Sequence, residues 1–169
     1  MRLVCSKRTF LWIAAAAVVL IIAAAFISFK PYLLLQDTDS GRLYAKWPVN
    51  NGSEFSIEFV HSVNQTPVRD IFVVSGNRVI PVETVFYGFG AGMQTGLDEG
   101  QTLTYNSDGS MSITGFTQEL DRLNYIVGTV SDHNMVINGE SISLRELCGK
   151  NAAVTIIIEE RITLEFGKQ

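Results

Sequence analysis

The chain has two histidines, His61 within His61-Ser62-Val63 and His133 within Asp132-His133-Asn134, so any imidazole chemistry uses one or both. The functional arrangement these residue types allow puts His61, as base or ligand, near Asp70 and Glu160, with His133 facing it. A Ser-His-Asp hydrolase is not expected. Ser62 adjoins His61 on a strand, where neighbours project to opposite faces, and no Gly-x-Ser-x-Gly elbow is present. Two histidines and a carboxylate could hold zinc, but their spacing selects no such site, and neither metal nor cofactor is expected. Asp37-Thr38-Asp39-Ser40-Gly41 begins like a calcium loop, yet its sixth position is Arg42 and its twelfth Pro48, which predicts a polar turn.

The richest glycine stretch runs from Gly88 to Gly96 and includes Gly90 and Gly92. It lacks the Lys-Ser or Lys-Thr of a phosphate loop, and its spacing misses the dinucleotide fingerprint. What remains is a loop with unusual backbone angles, or one that closely approaches a ligand or partner. Asn51-Gly52-Ser53 and Asn64-Gln65-Thr66 match glycosylation acceptors, which matter only in a eukaryotic secretory route.

Strands must position these residues. Short alternating or β-branched runs are separated by turn signals about every ten residues, the pattern of an all-β antiparallel sandwich or partly open barrel. Glu54 to Ser62 alternates, with Phe55, Ile57, Phe59 and His61 on one face, which puts His61 in the apolar phase. Val154, Ile156, Ile158, Ile162, Leu164 and Phe166 share a second face, and Glu160 falls in their phase, so there either the strand leaves the core or a carboxylate points inward. Further strands are predicted at 42–47, 68–74, 78–86, 110–114, 123–130 and 135–137, with Pro81 marking an edge or a bulge. Asn51-Gly52 and Asn138-Gly139 suit tight hairpins. Ser143 and Glu146 predict one helical turn, closed by Gly149.

Phe10 to Phe29 is twenty positions without a charge, long enough as a helix to cross a hydrocarbon core of roughly 30 Å. Arg2, Lys7 and Arg8 precede it, which predicts a cytoplasmic tail over 1–9, a single-pass signal anchor over 10–29, a spacer over 30–41 and an extracytoplasmic β-domain over 42–169. A cleaved signal peptide with its small-residue site at Ala23-Ala24-Ala25 is the rival reading, but the apolar run continues past those alanines. Cys5 and Cys148 fall on opposite sides of the membrane and cannot pair within one chain. After the anchor, ten Lys and Arg stand against seventeen Asp and Glu, a net charge of about −7, which argues against nucleic acid or anionic lipid headgroups as partners.

Three blocks together resemble a bacterial family: Phe59-Val60-His61-Ser62-Val63-Asn64-Gln65-Thr66-Pro67-Val68 with Asp70, then Gly88 to Met93, then Gly128 with Ser131-Asp132-His133. They are similar to the domain of unknown function eighteen-fifty. The resemblance implies a small exported or membrane-anchored protein, often encoded beside tripartite transporters of the TAXI type, with no established activity. It makes His61, Ser62, Thr66, Pro67, Asp70, Gly90, Gly92 and His133 the positions matching the family's pattern.

The expected function is therefore a noncatalytic binding or interaction module, accessory to a TRAP-type solute transporter or its solute-binding protein. It would present the glycine-rich loop and the Gln65-Thr66-Pro67 turn to its partner. His61, Ser62, Thr66, Asp70, Gly90, Gly92 and His133 are the candidate contacts. The alternative is an extracytoplasmic enzyme, with or without a metal, using His61, Asp70 and His133. A structural partner that only stabilises a membrane complex is the third reading.

Overall fold

Among the described residues eleven strands form, because the apolar residues alternate and the connections carry turn chemistry. In the computed structural model, which describes residues 12–13, 15–18, 27–88 and 96–164, they are β1 (Ile27–Asp37), β2 (Leu43–Pro48), β3 (Glu54–Val60), β4 (Pro67–Ser75), β5 (Arg78–Phe86), β6 (Thr102–Tyr105), β7 (Met111–Thr114), β8 (Leu123–Ile126), β9 (His133–Ile137), β10 (Glu140–Ser143) and β11 (Ala153–Leu164). A short helix, α1 (Leu144–Cys148), lies between β10 and β11. The architecture is mostly antiparallel β in two sheets, ordered β2-β1-β11-β8 and β10-β9-β3-β4-β5-β7-β6. The sheets keep their edges at β2, β8, β10 and β6, so they do not close into a barrel.

The chain forms two compact units, Pro31–Glu159 and a second made of Met1–Lys30 with Glu160–Gln169. In the first, side chains from both sheets share one buried cluster: Leu33 and Leu35 of β1, Leu123 of β8, and Val154, Ile156 and Ile158 of β11 join Phe55 and Ile57 of β3, Phe72 and Val74 of β4, and Met135 and Ile137 of β9. A smaller cluster of Val68, Phe86, Met111 and Ile113 lies within the seven-stranded sheet. In the second unit Trp12, Ile13, Val18, Phe29 and Ile162 are exposed. Among the described residues no helix is long and apolar enough to cross a membrane. Most of the expected span over 10–29 lies outside the described residues.

Turn chemistry behaves as the residue types predict. Gly52 and the pair Asn138 and Gly139 adopt positive φ, as tight hairpins require. Asp37 anchors the β1–β2 turn, its Oδ1 accepting from the amide and hydroxyl of Ser40, and those bonds hold its carboxyl down at about 2. The calcium-like start is thus a polar turn. Pro81 marks a bulge rather than an edge: β5 lies between β4 and β7, and the register slips where Phe72 opposes Pro81 but Ile71 opposes Glu83. Ser143 caps α1 by accepting from the Glu146 amide, and Gly149 at positive φ closes it.

Two expectations need correction, and the alternative left open at Glu160 is decided. The stretch 30–41 is no spacer: β1 runs through it to Asp37, pairs with β2 from Tyr32 to Gln36, and buries Leu33, Leu34 and Leu35 completely. Three consecutive leucines follow no period of two and so gave no strand signal within the expected spacer, and Ile27 to Phe29, assigned to the span, are strand as well. His61 does not share the buried face of β3, because the strand stops at Val60 and His61 opens the following turn. At Glu160 it is the strand that leaves the core: Glu160 is exposed and Ile162 is 66% exposed. Two short strands, β6 and β10, were also unpredicted; at four residues each they carry too little alternation to register.

Candidate functional site

Antiparallel register on the inner face of the seven-stranded sheet aligns two rows of side chains. One runs His133, Phe59, Val68, Phe86, Met111, and the next Met135, Ile57, Asp70, Thr84, Ile113. A carboxylate in such a row needs hydrogen bonds to offset its burial. Asp70 accepts from the Thr84 hydroxyl at 2.8 Å and from the Tyr125 hydroxyl at 3.3 Å, the latter reaching over from β8 in the other sheet. Burial pushes the Asp70 carboxyl above its usual range, against the pull of those two donors. Tyr125 is raised too, by burial and by the adjacent Asp70 charge. The Tyr125 ring lies 6.0 Å from the ring of His133, which stands 4.8 Å from Phe59.

At one end of these rows the β3–β4 turn and the segment joining β8 to β9 enclose a cleft of about 380 Å³, lined by Phe59, Val60, His61, Ser62, Gly128, Thr129, Val130, Ser131 and His133. The turn is closed by main-chain bonds, from the His61 amide to the Thr66 carbonyl at 2.8 Å and from the Gln65 amide to the His61 carbonyl at 2.9 Å. His61 Nδ1 accepts from the amides of Val63 and Asn64 at 3.3 and 3.4 Å. Across the cleft, His133 Nδ1 accepts from the Gly128 amide at 3.0 Å. The two walls are joined directly, since the Val60 amide donates to Ser131 Oγ at 2.9 Å. Behind the far wall, Asp132 accepts from Ser143 Oγ and the Arg145 amide, and Arg145 Nη2 donates to the Gly128 carbonyl at 2.9 Å. Gly128 is fixed by contact as well: a Cβ there would sit 2.1 Å from the Ser131 carbonyl oxygen.

Of the expected site residues, the structure brings His61, Ser62 and His133 into one cleft. Thr66 closes the turn beside them, and its Oγ1 is buried without a hydrogen-bond partner among the described residues. Asp70 lies in the interior and reaches His133 only through the Tyr125 ring. Gly90 and Gly92 lie outside the described residues, although Asn64 Nδ2 donates to the Gly88 carbonyl at 3.1 Å, which ties the start of the glycine-rich segment to the His61 turn. Tyr125, Arg145 and the wall residue Thr129 were missed. Tyr125 carried a signal, because in the phase of Leu123 and Val127 its hydroxyl had to meet a buried polar group.

In both rings Nδ1 is the acceptor of main-chain N–H groups, which leaves Nε2 as the donor. That polarity is the reverse of metal-ligating histidines, which donate their second nitrogen to a carbonyl or carboxylate. Among the described residues no three His, Cys, Asp or Glu side chains gather as a metal centre needs.

Burial holds His133 below its ordinary pKa, with Arg145 acting in the same direction and Asp132 against it. An unfolded histidine takes up its proton near 6.5, before the folded ring does, so in that window the unfolded chain binds more protons. Stability is therefore expected to fall as pH drops below about 6.5, losing the Gly128–His133 bond. Asp70 contributes with the opposite sign, since its raised pKa lets the folded state bind the extra proton. The difference in urea midpoint between wild type and His133→Gln, followed from pH 7.5 to 5.5, isolates the imidazole; it should shrink toward the acid end.

The sequence profile of the family described as Domain of unknown function (DUF1850) matches residues 55–144, from β3 into α1. The chain belongs to this family, and the matched segment contains both walls of the cleft, Asp70 and Tyr125. No curated protein and no solved structure matches it.

Proposed function

We propose that the chain is a noncatalytic interaction module held at the outer face of a bacterial membrane, where the cleft between the β3–β4 turn and the β8–β9 segment docks a protein partner. The observation that carries this reading is the lining itself. Among the described residues no charged side chain lines the cleft, its imidazoles offer Nε2–H donors, and Val60 and Val130 stand on its rim, the latter 76% exposed. Val63 in the adjoining turn is 64% exposed. Apolar rim groups around a few neutral donors suit a partner's loop, which brings carbonyl acceptors and apolar side chains. Catalysis by His61, Asp70 and His133 is less well served, since Asp70 spends its oxygens on Thr84 and Tyr125 and orients neither imidazole.

The partner class is a component of a tripartite solute transporter, an assignment supported by the family resemblance alone. The membrane address rests on the uncharged run over 10–29, its basic flank at 1–9, and the exposure of Trp12, Ile13 and Val18 within it. The β-domain, read as a sandwich, then begins at β1 rather than at residue 42. Crosslinked pull-down from intact cells, comparing wild type with Val130→Glu, tests the reading. The substitution touches an exposed side chain and should leave folding within about 0.5 kcal/mol of wild type while transporter components are lost from the eluate. Recovery of the same components with both proteins would remove the cleft from the interface.

A further inference from the structure

A second concavity, of about 610 Å³, lies against the outer face of the seven-stranded sheet, with Phe59, Val60 and Ser131 as the wall it shares with the cleft. Its floor is set by register: Asn134, Glu58, Arg69 and Val85 lie side by side on β9, β3, β4 and β5. Arg69 is held from one edge only. Its Nε donates to Ser56 Oγ at 3.3 Å and lies 3.2 Å from Glu58 Oε1, and no hydrogen bond engages its two Nη groups among the described residues.

The other charged groups of the groove are already committed. Asp108 accepts from the amide and hydroxyl of Ser110 and from the Tyr87 hydroxyl, and those donors hold its carboxyl below the usual range. Asp132 is taken by Ser143 and the Arg145 amide. Two complementary features therefore remain. The Nη edge of Arg69 is a paired donor matched to a carboxylate. Beside it, Glu58 Oε2 and Asn134 Oδ1 are acceptors with no hydrogen bond among the described residues.

We propose that this groove is a binding site for a small zwitterion of the α-amino acid type, its carboxylate on the Nη edge of Arg69 and its ammonium between Glu58 and Asn134. Charge decides against the simpler ligands. Three carboxylates against one guanidinium, in a domain of about −7, repel a lone anion, while a lone cation leaves the Arg69 edge facing it. A zwitterion satisfies both edges and carries no net charge into the field. Val60, Pro67 and Val85 supply an apolar wall for its side chain. The site adjoins the docking cleft through their common wall but uses neither imidazole, and it does not rest on the partner reading.

The test uses the full chain in nanodiscs and three probes with one apolar body: L-leucine, 4-methylpentanoate and isoamylamine, titrated by calorimetry to 10 mM. Leucine is expected to bind, each single-charge probe at least about tenfold more weakly, and Arg69→Met to abolish leucine binding with its melting temperature retained. Val130→Glu should bind leucine as wild type does, which separates this site from the cleft. Equal binding of isoamylamine and leucine, no heat from any probe, or leucine binding that survives Arg69→Met would each overturn the proposal.

Discussion

Leu35→Ala is expected to destabilise the β-domain by about 2–5 kcal/mol, the range for emptying a leucine-sized volume in a packed core. Leu35 is fully buried in the cluster that joins the two sheets, opposite Ala45 of β2. Its cluster includes Phe55, Ile57 and Val154 from β3 and β11, so collapse around the void is opposed from both layers. Chemical denaturation should show a lowered midpoint with an unchanged slope. A spacer residue would give a change within about 0.5 kcal/mol, and that result would return 30–41 to the role of a linker.

Gly128→Ala is the second large effect, at about 1–3 kcal/mol, the usual cost of overpacking. The added methyl would meet the Ser131 carbonyl oxygen at 2.1 Å and the His133 ring carbon Cε1 at 3.3 Å. The first is main chain and cannot rotate away, so the 128–131 segment must move. Moving it strains the Gly128 amide bond to His133, the Arg145 bond to the Gly128 carbonyl, and the Ser131 bond that fastens the opposite wall. Partner capture should therefore fall further than the stability loss alone accounts for, whereas Gly139→Ala, whose cost is backbone strain at positive φ rather than contact, should lower capture no further than its own stability loss accounts for. Melting and pull-down yields measured together on the two variants check this.

How much of this could be read from the chain depends on how local the determinant was. The strands β3, β4 and β5 and the cap of α1 were legible because Phe55-Ile57-Phe59 alternates, Asn51-Gly52 precedes it, and Ser143 and Glu146 stand three apart. β1 was not, because Leu33-Leu34-Leu35 has no period and follows an apolar run. That His61 and His133 share a cleft could be guessed, but no local pattern requires it: it depends on Phe59 opposing His133, a register fixed between segments more than seventy residues apart. The role of each imidazole was hidden for a different reason. Whether Nδ1 accepts or donates is decided by the main-chain path at Val63, Asn64 and Gly128, which residue types do not specify.

The central claim is that the His61–His133 end of the domain is where a partner docks. A photocrosslinking residue placed at Val130 in intact cells, compared with one at Tyr105 on edge strand β6, measures it most directly. The two positions are 76% and 73% exposed, so solvent access is matched. A transporter component crosslinked from Val130 and not from Tyr105 is the expected result; equal adducts at both positions, or none at Val130, would contradict it.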